Sequence, residues 1–324
     1  MAIPIQTQLF WTAVSRLNGI SLLQLPPDQV RAASDRRRWL IGLPGAAHIV
    51  GRPHPEMYIS EKTADGVRLR VYRPADSLDE TLPLILNIHG GGFVAGDPQQ
   101  SEWWCSSVSY DVRAVVVSVD YRLAPEHPFP AAPEDCHTAL TWVAEHARDL
   151  GADGARIAVM GDSAGGNLAA VLCLMARDRG GPEIALQVLI YPSVDLVNSY
   201  PSEDENEFAP MLGKADLRAH SLYCPGEERN PYASPLFAEH RGLPPAIIQT
   251  ANHDPLRDQG AAYATALRRA GVPVRLTNYV DAVHGYISIP GVVPAARQAL
   301  TEAVDALRAA LPRRPDFREH KALE

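Results

Sequence analysis

A succession of short, β-branched runs separated by helical periods constrains this chain more than any other feature. Pro83-Leu-Ile-Leu-Asn-Ile88, Ala114-Val-Val-Val-Ser-Val119, Arg156-Ile-Ala-Val-Met160, Ile184–Ile190 and Ala246-Ile-Ile-Gln-Thr250 are nearly continuous apolar runs. Runs of that length suit strands buried on both faces of a parallel sheet. Val67–Tyr72 alternates as a half-buried strand does, and Val274–Val280 reads as a last strand. No strand pattern appears before Val67. Helical periods fill the gaps at Pro133–Leu150, Ala164–Arg179 and Gln259–Ala270, with Pro294–Leu311 closing the series. The expected fold class is α/β, with a mostly parallel central sheet flanked by helices and joined by right-handed crossovers.

Two segments fall outside this rhythm. Residues 1–50 hold two helix-like stretches, Leu9–Leu17 and Asp28–Leu40, separated by Pro26-Pro27. Arg36-Arg37-Arg38 ends the second, where cations suit a helix C-terminus. Residues 195–240 are acidic, proline-rich and irregular, and Pro201-Ser-Glu-Asp-Glu-Asn-Glu207 carries four carboxylates. An insertion at the C-terminal edge of a parallel sheet lies where such folds place ligands. The expected organisation is therefore a main body of residues 51–194 and 241–315, lidded by residues 1–50 and the insertion 195–240.

Composition narrows the function classes. The chain has 324 residues, 46% hydrophobic and 21% charged, so it can bury a core without disulfides or a structural metal. Thirty Lys+Arg against 38 Asp+Glu give a net charge of −8, which is no nucleic-acid footprint. No run approaches the roughly 18 apolar residues of a membrane helix. Cys105, Cys136, Cys173 and Cys224 stand too far apart for a zinc ribbon or a redox pair. The opening Met1-Ala2-Ile3-Pro4-Ile5-Gln6 lacks the pattern of a secretory leader. Reduced thiols and a cytoplasmic location are the resulting expectation.

The chemistry concentrates at Gly161-Asp162-Ser163-Ala164-Gly165, which follows a strand and opens a helical period. A G-x-S-x-G run in that context is a nucleophile elbow. The serine sits on a strained turn, so its neighbours must have almost no side chain, and the turn aims the Ala164 N–H at the same point. His89-Gly90-Gly91-Gly92-Phe93 follows an earlier strand, and its glycines let a loop turn amides toward a bound group. Gly90-x-Gly92-x-x-Ala95 also fits a loose dinucleotide fingerprint. Against that reading, Gly96-Asp97-Pro98 breaks the helix that should open there, and Asp120 lies too far on.

A serine nucleophile needs a base and an orienting acid, which this arrangement supplies in the order Ser, Asp/Glu, His. Of 11 histidines, His284 follows the last strand at the sheet's C-terminal edge. His137, His146, His220, His240 and His320 read as surface groups. The acid should follow the strand Ala246–Thr250, which points to Asp254, with Asp258 the neighbour to be distinguished from it. Asp281 reads as a turn residue. No Walker A run, H-E-x-x-H or Ser-x-x-Lys is present, and neither cofactor nor metal is called for.

His89-Gly-Gly-Gly-Phe93, Asp120-Tyr-Arg-Leu-Ala-Pro-Glu-His-Pro-Phe-Pro-Ala131, Gly161-Asp-Ser-Ala-Gly-Gly166, Asp254-Pro-Leu-Arg-Asp258 and His284-Gly285 occur in one order over residues 55–312. Together they resemble the bacterial hormone-sensitive-lipase-like carboxylesterases of the α/β-hydrolase fold. The resemblance implies a Ser163–His284–Asp254 triad and an oxyanion hole of Gly91, Gly92 and Ala164. It implies a cap built from the N-terminal helices and the segment after Tyr191, hydrolysis of small short-chain acyl or aryl esters, and a homodimer. Tyr121–Glu126 is then a support for the oxyanion loop, and His89 an anchor of it. Tyr286 departs from the pattern, which frequently has Phe there. Trp11, Phe93, Trp103 and Trp104 either wall a compact pocket or pack in the core, and both readings stand equally for each. Hydrolysis of aryl amides on the same triad is the near alternative. A non-catalytic ligand receptor of the same fold, as in plant gibberellin receptors, is the distant one, and retention of His284 argues against it.

Overall fold

A computed structural model of the chain describes residues 3–18, 23, 25–26, 29–30, 32–33, 36, 39, 42–43 and 45–312. Arg37, Arg38, His320 and most of the Asp28–Leu40 stretch lie outside the described residues.

Eight strands form one sheet: β1 Met57–Ala64, β2 Val67–Pro74, β3 Leu82–Ile88, β4 Val115–Asp120, β5 Ala152–Asp162, β6 Ile184–Ile190, β7 Ala246–His253 and β8 Val274–Val283. Their order is β1-β2-β4-β3-β5-β6-β7-β8. β1 and β2 pair antiparallel, as do β2 and β4, and every other pairing is parallel.

Side-chain alternation sorts the core into two layers. Leu84, Leu86, Val115, Val117, Ile157 and Val159 face one way, into a cluster with α3 Ala131–Glu145, α4 Ala164–Arg179 and α7 Arg257–Arg269. Ile85, Val116, Ala158 and Met160 face the other way, against α2 Glu102–Val112 and α8 Ala295–Ala310. Burial on both sides is the reason these runs carry so few polar residues.

The N-terminal helix α1 Ile5–Asn18 lies against this second layer, with Phe10 packed on it and Gln6 Nε2 donating to the Val292 carbonyl at 2.8 Å. Within the insertion 195–240 the chain forms two short helices, α5 Pro201–Glu205 and α6 His220–Tyr223, joined through a 3-10 turn at Lys214–Ala219.

Two elements were not legible in the sequence. β1 precedes Val67 and is half exposed at the sheet edge, with Glu61 and Lys62 outward, so no apolar run announces it. Helix α2 begins just after the break at Gly96-Asp97-Pro98. Asp97 caps the short turn there by accepting from Gln99 N at 2.8 Å, and the helix starts four residues later than Pro98.

Trp103 and Trp104 lie on α2 within the second core layer, against Gly51 in the case of Trp103. They are packing residues and do not line the cavity at Ser163, the second of the two readings the sequence left open.

Candidate active site

Ser163 stands between the last residue of β5 and the first of α4 with φ 55° and ψ −119°. A side chain costs strain in that region, and the surroundings fix it in place. A Cβ on Gly161 would lie 2.2 Å from the Gly165 carbonyl oxygen, and one on Gly165 would lie 2.0 Å from that of Ile88. The elbow therefore closes only with glycine at both positions. The Ser163 amide donates to Ile190 O at 2.9 Å, which locks the turn to the end of β6.

His284 and Asp254 reach the same point from neighbouring strand ends. Asp254 follows β7, is fully buried, and accepts the Leu256 amide on Oδ1 at 2.8 Å. Its other oxygen, Oδ2, lies 2.8 Å from His284 Nδ1. His284 Nε2 lies 2.9 Å from Ser163 Oγ. Gly285 has φ 71°, so the chain turns sharply after the histidine in a conformation that favours glycine. The Tyr191 ring packs against the imidazole with centroids 4.6 Å apart. A hydroxyl, an imidazole and a buried carboxylate in line can generate a nucleophile at neutral pH.

A cavity of about 270 Å³, open to solvent, lies at this hydroxyl. Gly92, Phe93 and Ala164 line it, and Gly91 adjoins it in sequence without lining it. Gly91 has φ 127°, and a Cβ there would meet the Ala95 carbonyl oxygen at 2.0 Å. Among the described residues the amides of Gly91, Gly92 and Ala164 donate to no protein acceptor. Leu23 from the N-terminal segment and Leu212, Leu217 and Ala219 from the insertion wall the remainder, with Leu256. Among the described residues no group of three or more His, Cys, Asp or Glu is placed to hold a metal ion.

A family profile described as alpha/beta hydrolase fold matches residues 85–288. The chain belongs to the hormone-sensitive-lipase-like branch of the α/β-hydrolases. It is similar to esterase LipI of Mycobacterium tuberculosis, 47% identical over 268 residues, which is 80% of this chain and 84% of the relative. Carboxylesterase NlhH of the same organism is 45% identical over 269 residues, 79% of this chain and 84% of the relative. Among solved structures, a thermostable esterase from Pseudomonas putida ECU1011 superposes with a TM-score of 0.87 at 33% identity, covering 96% of this chain and 98% of its own.

Hydrogen bonds and ring stacking brace the glycine loop. Tyr121 OH donates to the His89 carbonyl at 2.8 Å, and the two rings stack with centroids 4.3 Å apart. The Ala124 amide donates to Phe93 O at 2.9 Å. Asp258 is held by Arg257 Nε at 2.9 Å and by the Ser202 amide at 2.9 Å, so its carboxylate serves the packing of α5 on α7. Asp281 lies exposed within β8, which runs on to Val283, rather than in a turn.

Several residues in and around this site escaped sequence reasoning. Asp162 is buried and accepts the Gly90 amide on Oδ1 at 2.9 Å, tying the elbow to the glycine loop. Tyr191 and Ser193 follow β6, where nothing in the sequence marks a site. His220, read as a surface group, lines the cavity, and His240 is buried with Nε2 2.9 Å from Pro235 O. Both belong to packed parts of the irregular segment, whose sequence carries no period to reveal burial. Trp11 is half-buried on α1 and does not line the cavity, whereas Phe93 does, stacked on Tyr223 at 3.8 Å.

Proposed function

We propose that this chain hydrolyses short-chain carboxylic esters through an acyl-serine intermediate at Ser163. The observation that carries the reading is the continuous hydrogen-bonded line from Ser163 Oγ through His284 to Asp254, at 2.9 and 2.8 Å. Ser163 attacks the ester carbonyl while His284 Nε2 takes its proton. Asp254 holds the Nδ1–H tautomer and stabilises the imidazolium. The amides of Gly91, Gly92 and Ala164 receive the developing oxyanion, the largest electrostatic contribution in such reactions. His284 then protonates the departing alcohol, and a water activated by the same imidazole releases the acid.

Residues 1–50 and 195–240 act as the cap in this reading, supported by the cavity walls that Leu23, Leu212 and Leu217 provide. Residues 51–194 and 241–315 are the catalytic domain. The four cysteines are unpaired and buried, which suits a reducing cytoplasm. β8 lies at the sheet edge, the surface along which a homodimer would form. Among the described residues no helix is long and apolar enough to cross a membrane.

The deciding experiment uses p-nitrophenyl butyrate with wild type and Ser163→Ala. The substitution should lower kcat by on the order of 10⁴–10⁶ with the thermal transition unchanged. A variant that keeps a tenth of wild-type activity removes Ser163 from the reaction.

A further inference from the structure

Among the described residues, three polar side chains besides Ser163 line the cavity: Ser193, Asp216 and His220. Asp216 turns Oδ2 to the Gly213 amide at 2.7 Å, within its own turn. Ser193 and His220 instead meet each other, with Oγ 3.2 Å from Nε2.

The two residues come from different layers. Ser193 follows β6, and its amide donates to the Ser163 carbonyl at 3.3 Å. Its own carbonyl accepts from Asn167 Nδ2 at 2.6 Å, so its backbone is fixed against the helix that carries the nucleophile. His220 opens α6 in the insertion, and its ring stands edge-on to Phe93 with centroids 6.2 Å apart. In the sheet, β5 lies between β3 and β6. The imidazole thus touches the loop after β3 and the loop after β6, with the nucleophile's strand between them.

The pair is not a second catalytic triad. The nearby carboxylate, Asp195, is already engaged by the amides of Val197 and Asn198 at 2.9 and 3.0 Å, by Asn198 Nδ2 at 2.7 Å and by Tyr200 OH at 2.6 Å. Among the described residues no carboxylate hydrogen-bonds to His220. Burial pushes the His220 pKa down to about 4, and the charge of Asp195 opposes this only in part. At neutral pH the site therefore presents a hydroxyl and an uncharged imidazole, each able to donate and accept. The other walls, Leu23, Phe93, Leu212, Leu217 and Leu256, are apolar. Such a cavity binds a ligand oxygen at one corner and apolar groups elsewhere, and a corner built for hydrogen bonding discriminates against analogues that lack the oxygen.

Resting on the esterase reading above, we propose that Ser193 and His220 form a polar subsite selecting esters that carry a hydroxyl oxygen a few bonds from the scissile carbonyl. The oxygen belongs to either the acyl or the alcohol half, and the experiment separates the two.

The full-length protein is assayed on ethyl propionate, ethyl lactate and 2-hydroxyethyl propionate. One hydroxylated ester should exceed ethyl propionate in kcat/KM by on the order of fivefold to tenfold, the scale of one neutral hydrogen bond. Preference for the lactate places the subsite on the acyl side, and preference for the hydroxyethyl ester places it on the alcohol side. The ratio should approach one in Ser193→Ala and in His220→Phe, and Ser193→Thr, which keeps the hydroxyl, should retain it. Equal rates on the three esters, or a preference untouched by both substitutions, overturns the subsite while leaving the esterase reading intact. No hydrolysis of any of the three overturns both.

Discussion

The Gly90 amide donates to Asp162 Oδ1 at 2.9 Å, joining two loops that lie 72 residues apart in the chain. A Cβ on Gly90 would sit 2.6 Å from the other carboxylate oxygen, so the contact also requires the glycine. Burial pushes the Asp162 carboxyl up from its usual range, while the Gly90 amide and the neighbouring His89 and His284 pull it down. Asp162→Ala leaves a buried N–H without its acceptor and frees the glycine loop. Misplacing oxyanion donors costs about 10²-fold in rate, and kcat should fall by about that factor. Asp162→Asn keeps an oxygen acceptor and should lose no more than about tenfold. Kinetics on p-nitrophenyl butyrate, with a thermal melt of each variant, decides it. An alanine variant as fast as wild type would remove Asp162 from any role in holding the loop.

The orienting acid makes a second test. Asp254 is fully buried with Oδ2 on His284 Nδ1, whereas Asp258 is paired with Arg257 and the Ser202 amide. Loss of the orienting charge leaves the imidazole in the wrong tautomer, a loss on the order of 10⁴ in kcat. Asp254→Asn should fall by about that factor, and Asp258→Asn by no more than roughly tenfold. The reverse ranking would transfer the role to Asp258.

These two residues also show what a sequence can reveal about such a site. Ser163 and Asp254 were legible because each follows a buried strand that announces itself as an apolar run, and His284 because it follows the last strand of the series. Parallel order brings those ends to one edge, so position along the chain translates into proximity. Asp162, Ser193 and His220 were not legible, because their roles depend on partners in other loops. Asp162 is an unmarked x in its motif, and its partner is the first glycine of a distant loop. His220 sits in a segment without period, where burial comes from tertiary packing alone. β1 was missed for a related reason: a half-exposed edge strand has no need of a continuous apolar face.

Burial of histidines sets the acid limb of stability. Burial pushes the pKa of His89, His137, His220 and His240 down, His220 to about 4. In the unfolded chain a histidine takes its proton near pH 6.5. Between that pH and about 4 the unfolded state therefore binds the proton that folded His220 refuses, and stability falls as pH drops through this window. Above about pH 6.5 this group has no effect, and below about 4 its penalty is constant. The thermal midpoint should be lower at pH 4.5 than at pH 7, and the gap should narrow in His220→Gln. An unchanged gap would mean that His220 protonates in the folded protein as readily as in the unfolded one.

The apolar walls of the cavity make a test of acyl length. A side chain of the N-terminal segment, Leu23, closes one side of the cavity. Leu23 Cδ2 would lie 2.9 Å from a Cβ built on Gly92, which places the leucine directly against the glycine loop. Acyl chains of about two to eight carbons, the range that the family resemblance implies, should be preferred, with butyrate ahead of decanoate in kcat/KM. Leu23→Ala removes apolar wall without touching Ser163, His284 or Asp254. A change of one or two methylenes in such a wall alters discrimination by about tenfold or more, so the decanoate-to-butyrate ratio should rise by about that factor. p-Nitrophenyl esters of both acids, run with the intact protein and the variant, measure it. Should decanoate already lead in the intact protein, the closed wall fails as the source of selectivity. Should the ratio stay fixed in Leu23→Ala, chain length is read by Leu212, Leu217 and Leu256 instead, and the N-terminal segment drops out of the specificity of this site.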